Sequence, residues 1–258
     1  MERRIGFKEF SSLCASDARQ MNRHGEEYLA QHIGRFYETF RACSGLIPRG
    51  AKLLSVGAGG AYVETQLKRF YGAEITVADY PEAVEALQGD YSRHGFATLG
   101  IDLTADRGLP LPETFDAALS LEVIEHLPIP PRCHLRALYD VLKPGGCLVL
   151  TTPNGAHLPN VVRLLRGKPI LPDAELAFSP ASYDNEHVHR REYVAGEIID
   201  AMTRAGFAHE RTHYLTGRRR TGFGLGRQLR RLYGLVPHLK KIMLLVGRKT
   251  KTEDGGVR

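Results

Sequence analysis

The sequence has few cysteines and no long apolar run, and both absences limit what the chain can be. Its four cysteines stand far apart with no CxxC pair, which argues against a disulfide framework or a zinc site and favours reduced thiols. No apolar stretch follows the N-terminal charges, so no signal peptide is expected. The aliphatic run at 242–246 is too short to span a membrane. We therefore expect a cytoplasmic protein.

Acidic residues are missing from a long stretch near the C-terminus. Between Thr212 and Thr252 there is no Asp or Glu, but there are eleven Lys and Arg residues. Because the net charge of the whole chain is +6, the remainder is mildly acidic. A basic strip attracts phosphate groups, an anionic membrane face or nucleic acid, although a solvated helix face has the same composition. We expect residues 217–240 to form an amphipathic lid or surface segment, with peripheral membrane contact as one role.

Short apolar runs that alternate with helical patterns make up most of the chain. Residues 1–50 are predicted to be a helical lead-in, 51–250 the main domain and 251–258 a tail. Residues 155–190 are predicted to be an insertion on the substrate side, and Lys143-Pro144-Gly145-Gly146 a turn. The alternation predicts an α/β fold with a doubly wound, mostly parallel sheet. Its seven strands are expected near 51–56, 73–79, 96–102, 115–121, 147–152, 207–215 and 241–246.

The first predicted strand ends in a loop of small residues, Gly57 to Ala61, which opens into a helix. Such a loop brings backbone N–H groups and a helix N-terminus close to a nucleotide-like ligand. A dinucleotide site would need glycine at position 62, where this chain has Tyr62. Asp79 ends the second strand, where a carboxylate can accept two ribose hydroxyls. The pattern therefore favours a nucleoside ligand without a tightly packed pyrophosphate.

Further along, a series of motifs matches one family in order. The motifs are LLSVGAGGA (53–61), VADYPEAV (77–84), GID (100–102), LPLPETFDAALSLEVIEHLP (109–128), LKPGGCLVLTTPN (142–154) and REYVAGEIIDAMTRAGF (191–207). The chain resembles a class I S-adenosylmethionine-dependent methyltransferase, which has a Rossmann-like fold. It is similar to the branch that contains ubiquinone-pathway, small-molecule and glycan O-methyltransferases.

The resemblance implies S-adenosyl-L-methionine as cofactor and gives roles to individual residues. The implied cofactor contacts are Gly57, Ala58, Gly59, Asp79, Tyr80, Asp102, Leu103 and Leu121. The glycine loop would face the methionine end, Asp79 would hold the ribose, and Asp102 and Leu103 would border the adenine. The family usually has an acid at position 55, where this chain has Ser55, so the contact to the methionine ammonium is either weakened or made elsewhere.

Acidic and imidazole side chains follow the fourth predicted strand. Glu122, Glu125 and His126 would share one face if this segment were helical, and His189 comes later in the chain. Two carboxylates and two imidazoles can hold Mg²⁺ or Mn²⁺. The layout resembles metal-dependent 2′-O-methyltransferases that act on small-RNA 3′ ends, and some ubiquinone-pathway enzymes. That likeness implies Glu122, Glu125, His126 and His189 as metal ligands.

Other roles for these residues remain open at this point. Without a metal, His126 or His189 could act as general base, with Glu125 beside them in the catalytic group. Alternatively, the Glu and His side chains only order the loop beneath the cofactor. Asn154 is a candidate substrate contact, with turn chemistry as its alternative. Tyr28 and Arg35 on the lead-in helix are candidates to close over the site.

The function expected from these features is O-methylation of a hydroxylated small molecule, a sugar or a lipid-linked saccharide. The phosphate of a lipid-linked or nucleotide-linked sugar would suit the basic segment 217–240. Methylation of RNA is an alternative, but no RNA-binding module is recognisable and few aromatic residues accompany the basic ones, so nucleic acid is not the expected partner. A non-catalytic scaffold that keeps the fold is a further alternative, suggested by Ser55.

Overall fold

Seven strands form a single sheet in this computed structural model, which describes residues 5–20, 26–104, 108–112, 114–171, 188–216 and 235–250. The strands are β1 (Lys52–Val56), β2 (Glu74–Asp79), β3 (Ala97–Gly100), β4 (Phe115–Leu121), β5 (Leu142–Pro153), β6 (Phe207–Leu215) and β7 (Ile242–Lys249). Their spatial order is β3-β2-β1-β4-β5-β7-β6. The first five are parallel, and β7 runs antiparallel between β5 and β6. The predicted doubly wound, mostly parallel sheet is confirmed.

Helices cover both faces of this sheet. They are α1 (Phe7–Ala18), α2 (Glu26–Ser44), α3 (Tyr62–Tyr71), α4 (Pro81–Arg93), α5 (Pro131–Val141), α6 (Leu158–Leu165) and α7 (Ala195–Ala205), with a 3₁₀ turn at Pro237–Leu239. The lead-in therefore contains two helices, of which α2 contacts α3. The helices α4, α5 and α6 each carry proline in the first turn. A backbone N–H at this position would have no partner within the helix, so proline loses no hydrogen bond there.

The core consists of two apolar layers, one on each side of the sheet. Adjacent residues of β1 belong to different layers, because side chains alternate along a strand. Leu53 packs with Phe10, Phe40 and Leu67 of the N-terminal helices and α3. Leu54 belongs to the other layer, with residues of α5 and α7. Burying a leucine side chain contributes roughly 1.5–3 kcal/mol. These two layers therefore stabilise the sheet and, with it, the positions of the loops that follow its strands.

The strand β5 differs from the prediction at its start. Lys143-Pro144-Gly145-Gly146 was expected to be a turn before the strand, but these residues lie inside β5. Phe115 pairs with Leu142, whereas Ala117 pairs with Cys147, so the run forms a bulge opposite β4. Gly145 has φ +79°, which lets the extra residues leave the ladder. Leu142 is consequently both the residue that caps the C-terminus of α5 and the first residue of β5.

Two predicted segments fall partly outside the described residues. Of the insertion at 155–190, the structure describes α6 and its surroundings, whereas 172–187 lie outside. Of the basic segment 217–240, only 235–240 are described. Within the described parts of the chain, no helix combines the length and apolar character needed to cross a membrane.

Candidate active site

A cavity of about 930 Å³ opens at the carboxyl ends of the parallel strands. Its lining includes the loop after β1, Asp79 at the end of β2, Leu121 at the end of β4 and Thr151 of β5. Ligands of open α/β sheets bind at this edge, and ligand pockets in proteins span roughly 300–1,000 Å³. Tyr28 and Arg35 of α2 also line the cavity, as expected for residues that close over it.

The loop between β1 and α3 needs its glycine at the first position. Gly57 has φ +61°, and a Cβ there would lie 2.7 Å from Cγ2 of Val123. Gly59 and Ala61 also have left-handed backbones, with φ of +51° and +47°. Any side chain at position 57 would therefore collide with the turn that follows β4. Both loops border the cavity, so glycine at this position allows them to pack together.

Most of the residues expected to contact the cofactor line the cavity. Asp79 is 8% exposed, and its Oδ1 accepts a hydrogen bond of 2.8 Å from the backbone N–H of Tyr80. Asp102 is the exception, because it is exposed and its Oδ1 accepts hydrogen bonds from the N–H and hydroxyl of Thr104. The residues that do line the cavity are Gly57, Ala58, Gly59, Asp79, Tyr80, Leu103 and Leu121.

The turn after β4 is not helical, so the predicted common face of its acidic residues does not form. Glu122 has φ +60°, an uncommon conformation for a non-glycine residue. Its Oε2 accepts a hydrogen bond of 2.7 Å from Nη1 of Arg35, whereas its buried Oε1 has no hydrogen-bond partner among the described residues. The left-handed step directs Glu122 towards Arg35 of α2.

Glu125 is a buried carboxyl group at the floor of the turn. It is 1% exposed, and its Oε2 accepts a hydrogen bond of 2.9 Å from the hydroxyl of Thr152. Its Oε1 has no hydrogen-bond partner within the described parts of the chain. Burial raises the pKa of Glu125 well above its ordinary value, and the nearby charge of Glu122 adds to this. Its Oε1 lies 3.8 Å from Nε2 of His126, so the two side chains adjoin at the cavity lining.

His126 and His189 face each other beside Glu125. Their ring centroids are 5.0 Å apart with the rings nearly perpendicular. Nδ1 of His126 is 3.0 Å from the carbonyl oxygen of Val188, and Nδ1 of His189 is 3.2 Å from Oε1 of Glu192. Because both partners are acceptors, each neutral imidazole carries its proton on Nδ1 and presents its Nε2 lone pair.

These three side chains form a group that can hold a cation. One ligand atom from each of Glu125, His126 and His189 lies within 4.8 Å of the others. Glu122, which the sequence placed in the same set, lies outside the group and is bonded to Arg35. One carboxylate and two imidazoles are richer in nitrogen than the predicted set, which suits Mn²⁺ better than Mg²⁺.

Several residues at the site were not predicted from the sequence. Thr152 and Glu192 hold Glu125 and His189. Both residues lie within the motifs that match the family, but neither was assigned a role from the sequence. Glu64 of α3 lines the cavity as a buried carboxyl group. Asn154, predicted as a substrate contact or a turn residue, is 1% exposed and outside the cavity lining. Its Oδ1 accepts a hydrogen bond from the N–H of Ala156, as in a turn, and its Nδ2 donates to the carbonyls of His238 and Lys240.

Residues 21–211 match the family model that is described as a methyltransferase domain. A ubiquinone biosynthesis O-methyltransferase from Cereibacter sphaeroides strain KD131 is 32% identical over 137 residues, which cover 52% of this chain and 54% of that protein. The corresponding enzyme of Xanthomonas campestris pv. campestris strain B100 is 36% identical over 115 residues, covering 41% of this chain and 44% of the relative. The chain thus spans about half the length of these curated relatives.

Solved structures share the fold at low sequence identity. An S-adenosylmethionine-dependent methyltransferase from Thermotoga maritima superposes with a TM-score of 0.57 at 18% identity, covering 92% of this chain and 100% of the other. One from Aquifex aeolicus gives a TM-score of 0.54 at 13% identity, covering 96% and 100%. These similarities concern the fold alone.

Proposed function

Because the chain belongs to the methyltransferase domain family, we propose that it transfers the methyl group of S-adenosylmethionine to an oxygen of a hydroxylated small molecule. The observation that carries this proposal is that one cavity holds both the glycine loop with Asp79 and the group formed by Glu125, His126 and His189. The proposal assigns the glycine loop and Asp79 to the cofactor side of the cavity, and the three other side chains to the acceptor side.

The residues of the cofactor side fit S-adenosylmethionine. Gly57 has no room for a Cβ, which keeps the loop backbone at the cavity wall. Asp79 has the burial and position to accept hydrogen bonds from two ribose hydroxyls, and Leu103 offers an apolar contact to a base. The bound cofactor would supply an electrophilic methyl group on a positively charged sulfur. The protein's task is then to orient the acceptor oxygen and to remove its proton.

On the acceptor side, Glu125, His126 and His189 are proposed to hold a divalent cation. Such a cation would lower the pKa of an acceptor hydroxyl and align neighbouring oxygens. Glu192 and the carbonyl of Val188 keep both imidazoles oriented through their Nδ1 atoms, as carboxylates and carbonyls do for metal-ligating histidines. If no cation binds, the same orientation makes Nε2 of His126 the acceptor of the hydroxyl proton, a role worth about 10²–10⁴-fold in rate.

The cofactor proposal is tested by titrating S-adenosylhomocysteine into the full-length protein by calorimetry. We expect saturable binding, and methyl transfer from radiolabelled cofactor to members of a panel of catechols, phenols and sugars. If the protein fails to bind S-adenosylhomocysteine, the proposed function is wrong, and the non-catalytic scaffold becomes the better explanation.

The cation is tested separately by titrating Mn²⁺ and Mg²⁺ into the wild type and into Glu125→Gln and His189→Gln. We expect Mn²⁺ to bind more tightly than Mg²⁺ and both variants to lose at least about tenfold in affinity. Glu82→Gln, an exposed acid in the first turn of α4, is the matched control. Absence of heat from the wild type with either ion would leave His126 as the base.

The finer identity of the acceptor is also a proposal. A sugar or lipid-linked saccharide with a phosphate is supported by the basic composition of residues 217–240, which would attract that phosphate or an anionic membrane face. Neutralising Arg218, Arg219 and Arg220 should then raise the acceptor KM and weaken binding to anionic vesicles. Tight binding of labelled RNA with a steep salt dependence would instead favour the RNA alternative.

A further inference from the structure

A buried acid lies at the loop end of the cavity without a cationic partner. Glu64 is the third residue of α3, is 2% exposed and lines the cavity. Its Oε1 accepts a hydrogen bond of 2.7 Å from Oγ of Ser55, which is itself fully buried. No lysine, arginine or histidine side chain in the described part of the chain pairs with it. The mechanism described above does not use this carboxyl group.

Physical chemistry makes such a placement costly unless something compensates for it. Burial raises the pKa of Glu64, and the hydrogen bonds from Ser55 and from the backbone at Val63 and Glu64 offset this only in part. A buried carboxylate normally pairs with a cation or a metal. Since the protein's described residues provide none, the missing positive charge is expected to come from a ligand in the cavity.

The proposed cofactor carries such a charge, and the following step rests on the proposed function. We infer that Glu64, positioned by Ser55, receives the ammonium group at the amino-acid end of S-adenosylmethionine. Glu64 stands in the first turn of the helix that the glycine loop opens into, and both border the same cavity. Asp79 lies at the end of the neighbouring strand and serves the ribose. The two carboxyl groups therefore divide the zwitterionic and nucleoside parts of one ligand.

This assignment also accounts for the serine at position 55. An acid there would lie beside Glu64 with two negative charges buried together, which is unfavourable. The hydroxyl of Ser55 instead donates to Glu64 and fixes the direction of its carboxylate. The carboxylate thus belongs to Glu64 of α3, and its hydrogen-bond donor is Ser55 of β1, nine positions earlier in the chain.

The test compares two ligands that differ at the amino-acid end. S-adenosylhomocysteine has the ammonium group, whereas 5′-methylthioadenosine has the same nucleoside without it. In calorimetry, Glu64→Gln is expected to lower the affinity for S-adenosylhomocysteine by about 10- to 100-fold, which is the usual effect of losing a charged hydrogen bond. The affinity for 5′-methylthioadenosine should stay within about twofold of the wild-type value. Glu82→Gln makes the same change at an exposed acid in the first turn of α4 and should alter neither affinity.

A second variant guards against a general loss of structure. Ser55→Asp combined with Glu64→Gln exchanges the two partners of the hydrogen bond, so that the carboxylate now stands at position 55. A return of the affinity for S-adenosylhomocysteine towards the wild-type value would support the inference. Equal weakening of both ligands by Glu64→Gln would overturn it, as would unchanged S-adenosylhomocysteine binding. Neither result would touch the proposed function, which fails only if the wild type does not bind S-adenosylhomocysteine.

Discussion

Nη1 of Arg35 lies 2.7 Å from Oε2 of Glu122, and this ion pair joins α2 to the turn after β4. Both side chains are largely buried, with 10% and 16% exposure. The pair therefore connects the lead-in, which the sequence placed before the main domain, with the turn after β4 that lines the cavity. A carboxylate predicted as a metal ligand is used here to hold the covering helix.

Breaking this ion pair should lower the stability of the fold more than breaking an ordinary surface ion pair would. Arg35→Met leaves the Glu122 carboxylate buried without its cation, so we expect the free energy of unfolding in urea to fall by on the order of 3 kcal/mol. Arg35→Met combined with Glu122→Gln should recover part of this loss, with a coupling energy of at least about 1 kcal/mol. Strictly additive losses would show that the two side chains do not interact in solution.

Gly57 should be far less tolerant of alanine than a glycine with a similar backbone. Gly57→Ala adds both a left-handed non-glycine residue and a Cβ at 2.7 Å from Val123, whereas Gly72→Ala, at φ +66°, meets nothing within 4 Å. The shared backbone cost is about 1–2 kcal/mol, so any excess measures the collision. We expect an excess of at least about 1 kcal/mol in urea unfolding, together with weaker S-adenosylhomocysteine binding.

A compensating change identifies the collision directly. Val123→Ala removes the methyl group that the new Cβ would meet, so it should restore much of the stability lost in Gly57→Ala. Equal stability losses for Gly57→Ala and Gly72→Ala would mean that the loop adapts without cost.

Asp79→Asn should affect both nucleoside ligands alike. Because the ribose is common to S-adenosylhomocysteine and 5′-methylthioadenosine, we expect the affinity for each ligand to fall by about tenfold in calorimetry. This pattern differs from that of Glu64→Gln, which should spare the second ligand. Asp200→Asn, an exposed acid of α7 outside the cavity lining, is the control. Selective loss of only one ligand in Asp79→Asn would contradict the ribose assignment.

His134 should make the fold sensitive to acid. Burial lowers its pKa to about 4, and its Nε2 lies 3.0 Å from Oγ of Ser120. A group with a depressed folded-state pKa favours unfolding once the unfolded chain begins to bind its proton, below about pH 6.5. The stability present above that pH should therefore decline by about 2 kcal/mol on reaching pH 5, and continue to fall until about pH 4.

His134→Gln retains a polar side chain beside Ser120 but cannot take up the proton. Urea unfolding between pH 7 and pH 5 should consequently give a shallower loss for the variant than for the wild type, because the other titrating groups are common to both. Parallel curves for the two proteins would show that the imidazole of His134 is not buried as a neutral group.

The sequence predicted the sheet well, and it placed Gly57 and Asp79 at one side of it, because those features depend on local pattern. Alternating apolar runs define the strands, and Gly57 and Asp79 stand at strand ends, which converge in any parallel sheet. The contacts that it missed join distant residues or depend on one backbone angle. Glu122 leaves its expected partners through a positive φ, and Ser55 meets Glu64 only after β1 and α3 pack together. Neither event has a periodic signature.

The position of β7 sets the order in which this protein can be completed during synthesis. Within the part of the chain that the structure describes, β6 pairs only with β7, and β7 also pairs with β5. Until residues 242–249 have left the ribosome, β6 has no neighbour in the sheet and β5 remains an open edge. The pairs among β1 to β4 can form earlier, because these four strands all precede β5, β6 and β7 in the chain. Pairing of β5 and β6 into the sheet's other half therefore waits for β7, which follows both of them in the chain.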